Sequence, residues 1–121
     1  MESIILVVED DRDIAAVFTE LLASEGYQVE TLHNGLEALK FVQAHSVDLV
    51  VSDVRMPGMD GISLAASVRE SGLTMPLILV SAVEPSSKIR KISNLVFLMK
   101  PVNLDTLLDA IAAALLEGIT E

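Results

Sequence analysis

Residues 49–61 read LVVSDVRMPGMDG, an apolar run that ends in an aspartate and continues into breaker residues. A short apolar run bounded by turn residues is typical of a strand buried on both faces of a parallel sheet. Pro57, Gly58 and Gly61 then predict a loop. Asp53 therefore stands at the carboxyl end of the predicted strand, and open parallel sheets bind their ligands at that edge.

The rest of the chain repeats this pattern of a strand followed by a helix. Apolar runs predict three further strands, at residues 3–8, 76–81 and 96–99, and partial alternation predicts a fourth at 28–32. Strict alternation with helical segments predicts an α/β fold, a doubly wound parallel sheet with helices on both faces. We expect a flavodoxin-like, five-stranded (βα)5 arrangement with strand order 2-1-3-4-5. Residues 1–121 are expected to form a single domain.

Apolar spacing near 3.6 residues predicts the helices and the faces they bury. Asp11 and Asn103 are predicted N-caps of the first and last helices, which end at Gly26 and Gly118. The fourth helix, from residue 84 to about Asn94, is short. The predicted buried faces are Ile14, Val17, Phe18, Leu21 and Leu22 in the first helix, Leu36, Leu39 and Val42 in the second, Ile62, Ala65, Ala66 and Val68 in the third, Ile89 and Ile92 in the fourth, and Leu104, Leu107, Leu108, Ile111, Ala112 and Leu115 in the last.

The composition excludes several classes of function. The 121 residues carry a formal net charge of −10, which disfavours direct binding to nucleic acid. The absence of cysteine excludes disulfides and thiolate metal sites. No apolar run is long enough to cross a membrane, and the short apolar run near the N-terminus has no basic segment before it. We therefore expect a cytoplasmic protein with no membrane association.

Polar and charged side chains follow the predicted strands. Glu9 and Asp10 follow the first strand, Asp53 the third, Ser81 the fourth and Lys100 the fifth. The first and third strands are neighbours in the expected order, so three carboxylates should meet in one cleft. Their repulsion requires a cation, and a site made of oxygen ligands favours Mg²⁺.

A magnesium site with a carboxylate nucleophile suits phosphoryl transfer to an aspartate. Lys100 can pair with a phosphoryl oxygen, and Ser81 can donate a hydroxyl hydrogen bond. Simpler interpretations stay open for each residue alone. The acids could cap the next helix, Ser81 could be a turn residue, and Lys100 could be a structural counter-ion.

Four motifs in this order resemble the receiver domains of two-component response regulators. They are LVVED at residues 6–10, DVRMPGMDG at 53–61, VSA at 80–82 and KP at 100–101, and the resemblance covers essentially the whole chain. It implies a signalling switch that accepts a phosphoryl group from a histidine kinase or a phosphotransfer protein. The chemistry would be confined to the chain's own phosphorylation and dephosphorylation, so it would not be an enzyme for other substrates.

The resemblance also implies roles for individual residues. Asp53 would be the phosphoacceptor. Asp10 and Asp53 would bind Mg²⁺ directly, together with the backbone carbonyl of Arg55, and Glu9 would act through a water. Ser81 and Lys100 would bind the phosphoryl oxygens.

The implied switch pairs Ser81 with Phe97, which stands at the family's aromatic position. On phosphorylation the hydroxyl moves toward the phosphate and the aromatic ring turns inward, which changes the face made by the fourth helix, fifth strand and fifth helix. Phe97 could instead be a core aromatic that does not switch. The Lys100–Pro101 bond is commonly cis in the family.

Two departures from the family pattern affect the predicted output. The segment from Ser81 to Lys100 is about three residues shorter than usual, and Leu95 replaces a small-residue stretch, so the usual output surface is in question. Arg55 and Val83 occupy positions that tune dephosphorylation. Because the apolar Val83 cannot orient a water, we expect a slowly decaying phosphoaspartate.

The predicted fourth helix is basic and the last helix carries acidic residues. Lys88, Arg90 and Lys91 could face Asp105 and Asp109 of a second copy across a two-fold axis. Such exposed pairs are weak, at about 0–1 kcal/mol each, so a solvated surface is the simpler interpretation.

Three alternative functions remain. A phosphohydrolase of the haloacid-dehalogenase kind needs an aspartate two residues after the nucleophile, where this chain has Arg55. A flavin mononucleotide binder needs a Ser/Thr-rich loop where residues 9–11 are acidic. A receiver-like interaction module that is not phosphorylated is the third. The cognate kinase, the signal and the output partner are not encoded in any of these motifs.

Overall fold

The computed structural model describes residues 3–84 and 87–117. Its centre is a parallel sheet of five strands in the order β2-β1-β3-β4-β5, which confirms the predicted topology. The central strands β1, β3 and β4 consist almost entirely of buried side chains, as expected for strands covered on both faces. The strands are β1 (Ile4–Val8), β2 (Gln28–Leu32), β3 (Leu49–Asp53), β4 (Leu77–Ser81) and β5 (Leu95–Met99).

Four α-helices lie among the described residues, and Asp11 and Asn103 cap the first and the last of them as predicted. The Asp11 carboxylate accepts hydrogen bonds from the backbone N–H groups of Asp13 and Ile14, and Asn103 accepts from two N–H groups in the first turn of the last helix. The predicted helix end at Gly118 lies outside the described residues. The helices are α1 (Arg12–Ser24), α2 (Gly35–Ala44), α3 (Gly61–Glu70) and α4 (Leu104–Glu117).

The helices cover both faces of the sheet, which confirms the doubly wound arrangement. On one face, α2 and α3 pack against strand side chains such as Leu6, Val50 and Leu79. On the other face, α1 and α4 pack against the alternate side chains, such as Val7 and Val51. This alternation follows from the two-residue period of a strand. None of the helices among the described residues is long and apolar enough to cross a membrane.

The predicted buried faces of α1, α2 and α4 were too wide, and three of the five misplaced residues lie in the first turn of their helix. Ile14, Val17, Leu36 and Leu104 were expected to be buried but are 40–58% exposed, and Ala112 is exposed as well. Ile14, Leu36 and Leu104 lie in the first turn of their helices, at the carboxyl edge of the sheet. The strands end there, so these side chains have no sheet surface to cover.

The predicted fourth helix is not an α-helix. Within the described residues this segment forms a 3₁₀ helix, Ser87–Lys91, and the predicted start at Pro85 and Ser86 falls outside them. Ile92 is its buried anchor, and Asn94 then adopts a positive φ of 54°. A segment with so few apolar anchors has little to hold a longer α-helix against the sheet, and its described part is a single short 3₁₀ helix. Residues 3–84 and 87–117 therefore contain four α-helices and one 3₁₀ helix where five helices were predicted.

Candidate functional site

Three carboxylates meet at the carboxyl edge of the sheet, as the strand order predicted. Val8 pairs with Ser52 in the β1–β3 register, so Glu9 and Asp10 follow directly beside Asp53. Carboxylate oxygens from these three residues lie within 4.8 Å of one another. Glu9 is only 3% exposed and the Asp53 side chain 10%, whereas Asp10 is exposed. The cluster thus has a buried side and a side open to ligands.

Burial raises the pKa of Glu9 from 4.5 to about 7. A hydrogen bond with the Asp10 carboxyl and the charge of Asp53 act in the same direction. The backbone N–H of Asp11, 3.2 Å from Glu9 Oε2, and the charge of Lys100 oppose the shift. Without a cation, the cluster therefore limits its own repulsion by keeping a proton on Glu9 up to near neutral pH.

Lys100 supplies the positive charge of the site. Its Nζ lies 3.2 Å from Asp53 Oδ1, which also accepts a hydrogen bond from the Val54 N–H at 3.0 Å. The Lys100 N–H donates to the Ser81 carbonyl at 2.8 Å, which carries the β4–β5 pairing to the edge of the sheet. The Lys100–Pro101 bond is cis, as the family resemblance implied.

Ser81 is a buried hydroxyl at the end of β4. It is 1% exposed, and its Oγ accepts a hydrogen bond from the Val83 N–H at 3.2 Å. Phe97 pairs with Leu79, two residues before Ser81, and packs partly buried on the α2–α3 side of the sheet. Strand alternation puts Leu79 and Ser81 on one face, so the hydroxyl and the Phe97 ring lie on the same side of the sheet.

The loop after Asp53 depends on a glycine where α3 begins. The Gly61 N–H donates to the Val54 carbonyl at 2.8 Å. A Cβ at Gly61 would come within 2.9 Å of the Val54 Cα and still closer to the Asp53 carbonyl oxygen. The start of α3 can therefore press against the backbone that carries Asp53 only because residue 61 has no side chain. Arg55 and Val83 lie on exposed parts of the loops after β3 and β4.

One contributor was missed in the sequence. His33 was taken only as part of a turn signal, but its Nδ1 lies 3.0 Å from the Glu9 carbonyl oxygen. No local sequence pattern predicts a contact between this histidine and the Glu9 carbonyl. The strand order alone indicated that His33, at the carboxyl end of β2, would lie near the end of β1.

The donor set fits Mg²⁺. Three carboxylates offer hard oxygen ligands, and exposed Asp10 leaves one side open for water or phosphate oxygens. A cation there would also lower the pKa of Glu9, because its charge favours the carboxylate form that burial disfavours.

The comparison with protein families agrees with this geometry. Residues 5–112 match the response regulator receiver domain. This chain belongs to that family. Receiver domains are the phosphorylation-activated switches of two-component signalling. Both the parallel sheet and the cluster of three carboxylates at its carboxyl edge are consistent with this function.

Three relatives illustrate the contexts in which this receiver domain type occurs. The sensor histidine kinase RcsC of Salmonella typhimurium is 36% identical over 92% of this chain, which spans 12% of that protein. The transcriptional regulatory protein GlrR of Escherichia coli K12 is 37% identical over 92% of this chain, which spans 26% of it. The response regulator TrrA of Thermotoga maritima, solved in complex with Mg²⁺ and BeF, has a TM-score of 0.84 and 32% identity, covering 94% of this chain and 99% of that one.

Proposed function

We propose that Asp53 accepts a phosphoryl group in a magnesium-dependent reaction. The observation that carries this proposal is the pairing of Asp53 with Lys100, at 3.2 Å, inside a cluster of three carboxylates. A carboxylate nucleophile, a cation-binding group and a fixed ammonium are the parts that phosphoryl transfer needs, because that chemistry depends on positioning and on charge stabilisation.

In the proposed step, an Asp53 oxygen forms a bond to phosphorus while the bond between phosphorus and the donor breaks. With a phosphohistidine donor, the electron pair of the broken P–N bond leaves with the imidazole, which then takes up a proton from solvent. The carboxylate becomes an acyl phosphate. Lys100 then pairs with a phosphoryl oxygen in place of the Asp53 oxygen that it holds now, and the Ser81 hydroxyl donates to another.

We propose that Asp10, Asp53 and the Arg55 carbonyl bind Mg²⁺ directly and that Glu9 acts through a water. When bound, the ion neutralises charge on the incoming phosphoryl group. Glu9 would give up its proton on metal binding, because a nearby cation stabilises the carboxylate form that burial disfavours. Asp10, the exposed member of the cluster, is the first carboxylate that an incoming ion would meet.

We propose that Ser81 and Phe97 transmit the change. The Ser81 Oγ, which now accepts from the Val83 N–H, would turn to donate to the phosphoryl group. The space it leaves lies on the side of the sheet that holds the Phe97 ring. An inward movement of Phe97 would then alter the face made by the 3₁₀ helix, β5 and α4.

The proposed phosphodonor is a histidine kinase or a phosphotransfer protein, and we propose that the exchange takes place in the cytoplasm with residues 1–121 acting as one receiver unit. The kinase context of RcsC and the transcriptional context of GlrR support this class of donor, although the chain spans small fractions of both proteins. The catalysis we propose is limited to gain and loss of the chain's own phosphoryl group.

The test is the magnesium dependence of phosphorylation by acetyl phosphate, followed by intact mass. We expect wild type to gain one phosphoryl group with Mg²⁺ and none with EDTA, and Asp10→Asn to react slowly at the same Mg²⁺ concentration. Asp53→Asn should not react. Equal labelling with Mg²⁺ and with EDTA, or none under any condition, contradicts the proposal, and the latter would favour an interaction module that works without phosphorylation.

A further inference from the structure

The His33 imidazole is fixed to the loop that carries the first two acids. His33 Nδ1 lies 3.0 Å from the Glu9 carbonyl oxygen, and 24 residues separate the two along the chain. A carbonyl oxygen can only accept, so Nδ1 must carry the proton and donate. The ring therefore makes a directed contact between the β2–α2 loop and the β1–α1 loop.

This contact controls the peptide unit that joins Glu9 to Asp10. In the preceding peptide unit, the Glu9 N–H donates to the Leu32 carbonyl at 3.1 Å, which extends the β1–β2 pairing by one residue and fixes the Glu9 backbone. In the peptide unit that follows, the His33 Nδ1–H donates to the Glu9 carbonyl. Because a peptide unit is planar, fixing the direction of its carbonyl fixes the position of the next Cα. A group outside the acidic cluster therefore restrains the position of the Asp10 backbone beside Asp53.

The same short loop also contacts the segment that follows Asp53. A Cβ at Gly35 would lie 2.7 Å from the Met59 carbonyl oxygen, so the start of α2 packs directly on that segment. The Asn34 side chain accepts from the Glu37 N–H at 2.8 Å and fixes the loop to α2. Residues 33–35 thus contact both loops that supply carboxylates.

We propose that His33 is a positioning residue for the acidic cluster and raises its affinity for Mg²⁺. The charged carboxylates of this cluster repel one another and favour a wider spacing of their loops. The hydrogen bond from His33 opposes that movement in the metal-free protein, so less reorganisation is needed when a cation binds. This inference rests on the proposed function, since it takes the cluster to be the magnesium site.

The test compares Mg²⁺ affinities of His33 variants by isothermal titration calorimetry. His33→Phe keeps a ring but has no donor, whereas His33→Asn keeps an N–H near the position of Nδ1. We expect the Phe variant to bind Mg²⁺ about fivefold more weakly, the equivalent of one ordinary hydrogen bond, and the Asn variant to stay near wild type. His33→Ala is a second donor-free variant.

His45→Phe is the matched control. His45 Nδ1 also lies near a main-chain carbonyl, 3.2 Å from that of Phe41, but it does so at the end of α2 and away from the acids. Wild-type affinity in His33→Phe and His33→Ala, or equal weakening in the Phe and Asn variants, overturns the positioning role. Asp10→Asn separates the two proposals. If Asp10→Asn binds Mg²⁺ as tightly as wild type, the proposed magnesium site is wrong. If Asp10→Asn loses Mg²⁺ affinity while His33→Phe keeps it, only the role of His33 is contradicted.

Discussion

Among single residues, the main feature of the site is a group of three carboxyl side chains whose closeness and burial are energetically unfavourable. Glu9 is almost fully buried beside two other carboxylates, and the cost appears as its raised pKa. Lys100 offsets part of the negative charge through Asp53. Neither the pKa of Glu9 nor the 3.2 Å contact of Lys100 could be predicted from the sequence, because both depend on distances between residues far apart in the chain.

We predict that Glu9 makes the metal-free protein less stable as the pH rises. Its pKa is about 7 in the fold against 4.5 ordinarily, so the folded state binds its proton more tightly. The resulting stabilisation is full below pH 4.5 and is lost as the pH rises through 7. The free energy of unfolding of wild type relative to Glu9→Gln should therefore fall by up to about 3 kcal/mol over this range.

Urea unfolding in EDTA at several pH values measures this difference. Glu30→Gln, at an exposed position on β2, serves as the control and should follow wild type. Parallel pH profiles for wild type and Glu9→Gln would contradict the raised pKa. Addition of Mg²⁺ at pH 7.5 should restore stability to wild type more than to Glu9→Gln.

Val83 carries a prediction about the lifetime of the phosphorylated state. It is an exposed apolar side chain two residues after Ser81, and it has no group that could orient an attacking water. Val83→Glu should therefore lose its phosphoryl group several-fold faster than wild type, while Val83→Ala, which is also apolar, should match wild type. Decay followed by intact mass after removal of acetyl phosphate gives the rates, and wild-type decay as fast as Val83→Glu would refute the prediction.

At the scale of elements, the sequence predicted strands and helices well where one period dominated. Four of the five strands were found because they are continuous apolar runs, and the edge strand β2 was found from its partial alternation. The fourth helix was predicted wrongly as α, because two apolar anchors do not decide between a short α-helix and a 3₁₀ turn. Arg69, whose guanidinium donates to the carbonyls of Leu73, Met75, Ser93 and Asn94, fixes this region from α3, and no local pattern predicts such contacts.

The junction between β3 and α3 carries the next prediction. Gly61→Ala would force the start of α3 away from Asp53, and we expect a loss of about 1–3 kcal/mol in the free energy of unfolding together with weaker Mg²⁺ binding. Gly72→Ala is the matched control, since Gly72 has a positive φ of 84° but open space around it. It should cost about 1–2 kcal/mol and leave Mg²⁺ affinity unchanged. Calorimetry that finds both variants with wild-type affinity would contradict the role assigned to Gly61.

At the scale of the whole molecule, the topology could be predicted because it follows from alternation and handedness. The candidate site followed from the topology, since neighbouring strands bring Glu9 and Asp10 beside Asp53. The role of His33 could not be predicted, because it depends on how one loop lies over another. The residues of the candidate site could thus be predicted from the strand ends, whereas the loop contacts that position them are seen only in the folded structure.

Two copies of the molecule could pair through surfaces of opposite charge. The 3₁₀ helix exposes Lys88, Arg90 and Lys91, and α4 exposes Asp105 and Asp109. If two phosphorylated copies pair through these surfaces, sedimentation with Mg²⁺ and beryllofluoride should show a dimer that weakens with salt and with Lys91→Glu. Because exposed ion pairs contribute only about 0–1 kcal/mol each, the dimer should be weak. A monomer in both states rules out the pairing.

The position of the phosphoryl group tests most directly whether Asp53 is the phosphoacceptor. The protein is treated with acetyl phosphate and Mg²⁺, the acyl phosphate is trapped by reduction with borohydride, and the modified residue is located by tandem mass spectrometry. The expected result is modification of Asp53 alone in wild type and of no residue in Asp53→Asn. Modification of Glu9 or Asp10 in wild type, or labelling that persists in Asp53→Asn, would contradict the assignment of Asp53 as the phosphoacceptor.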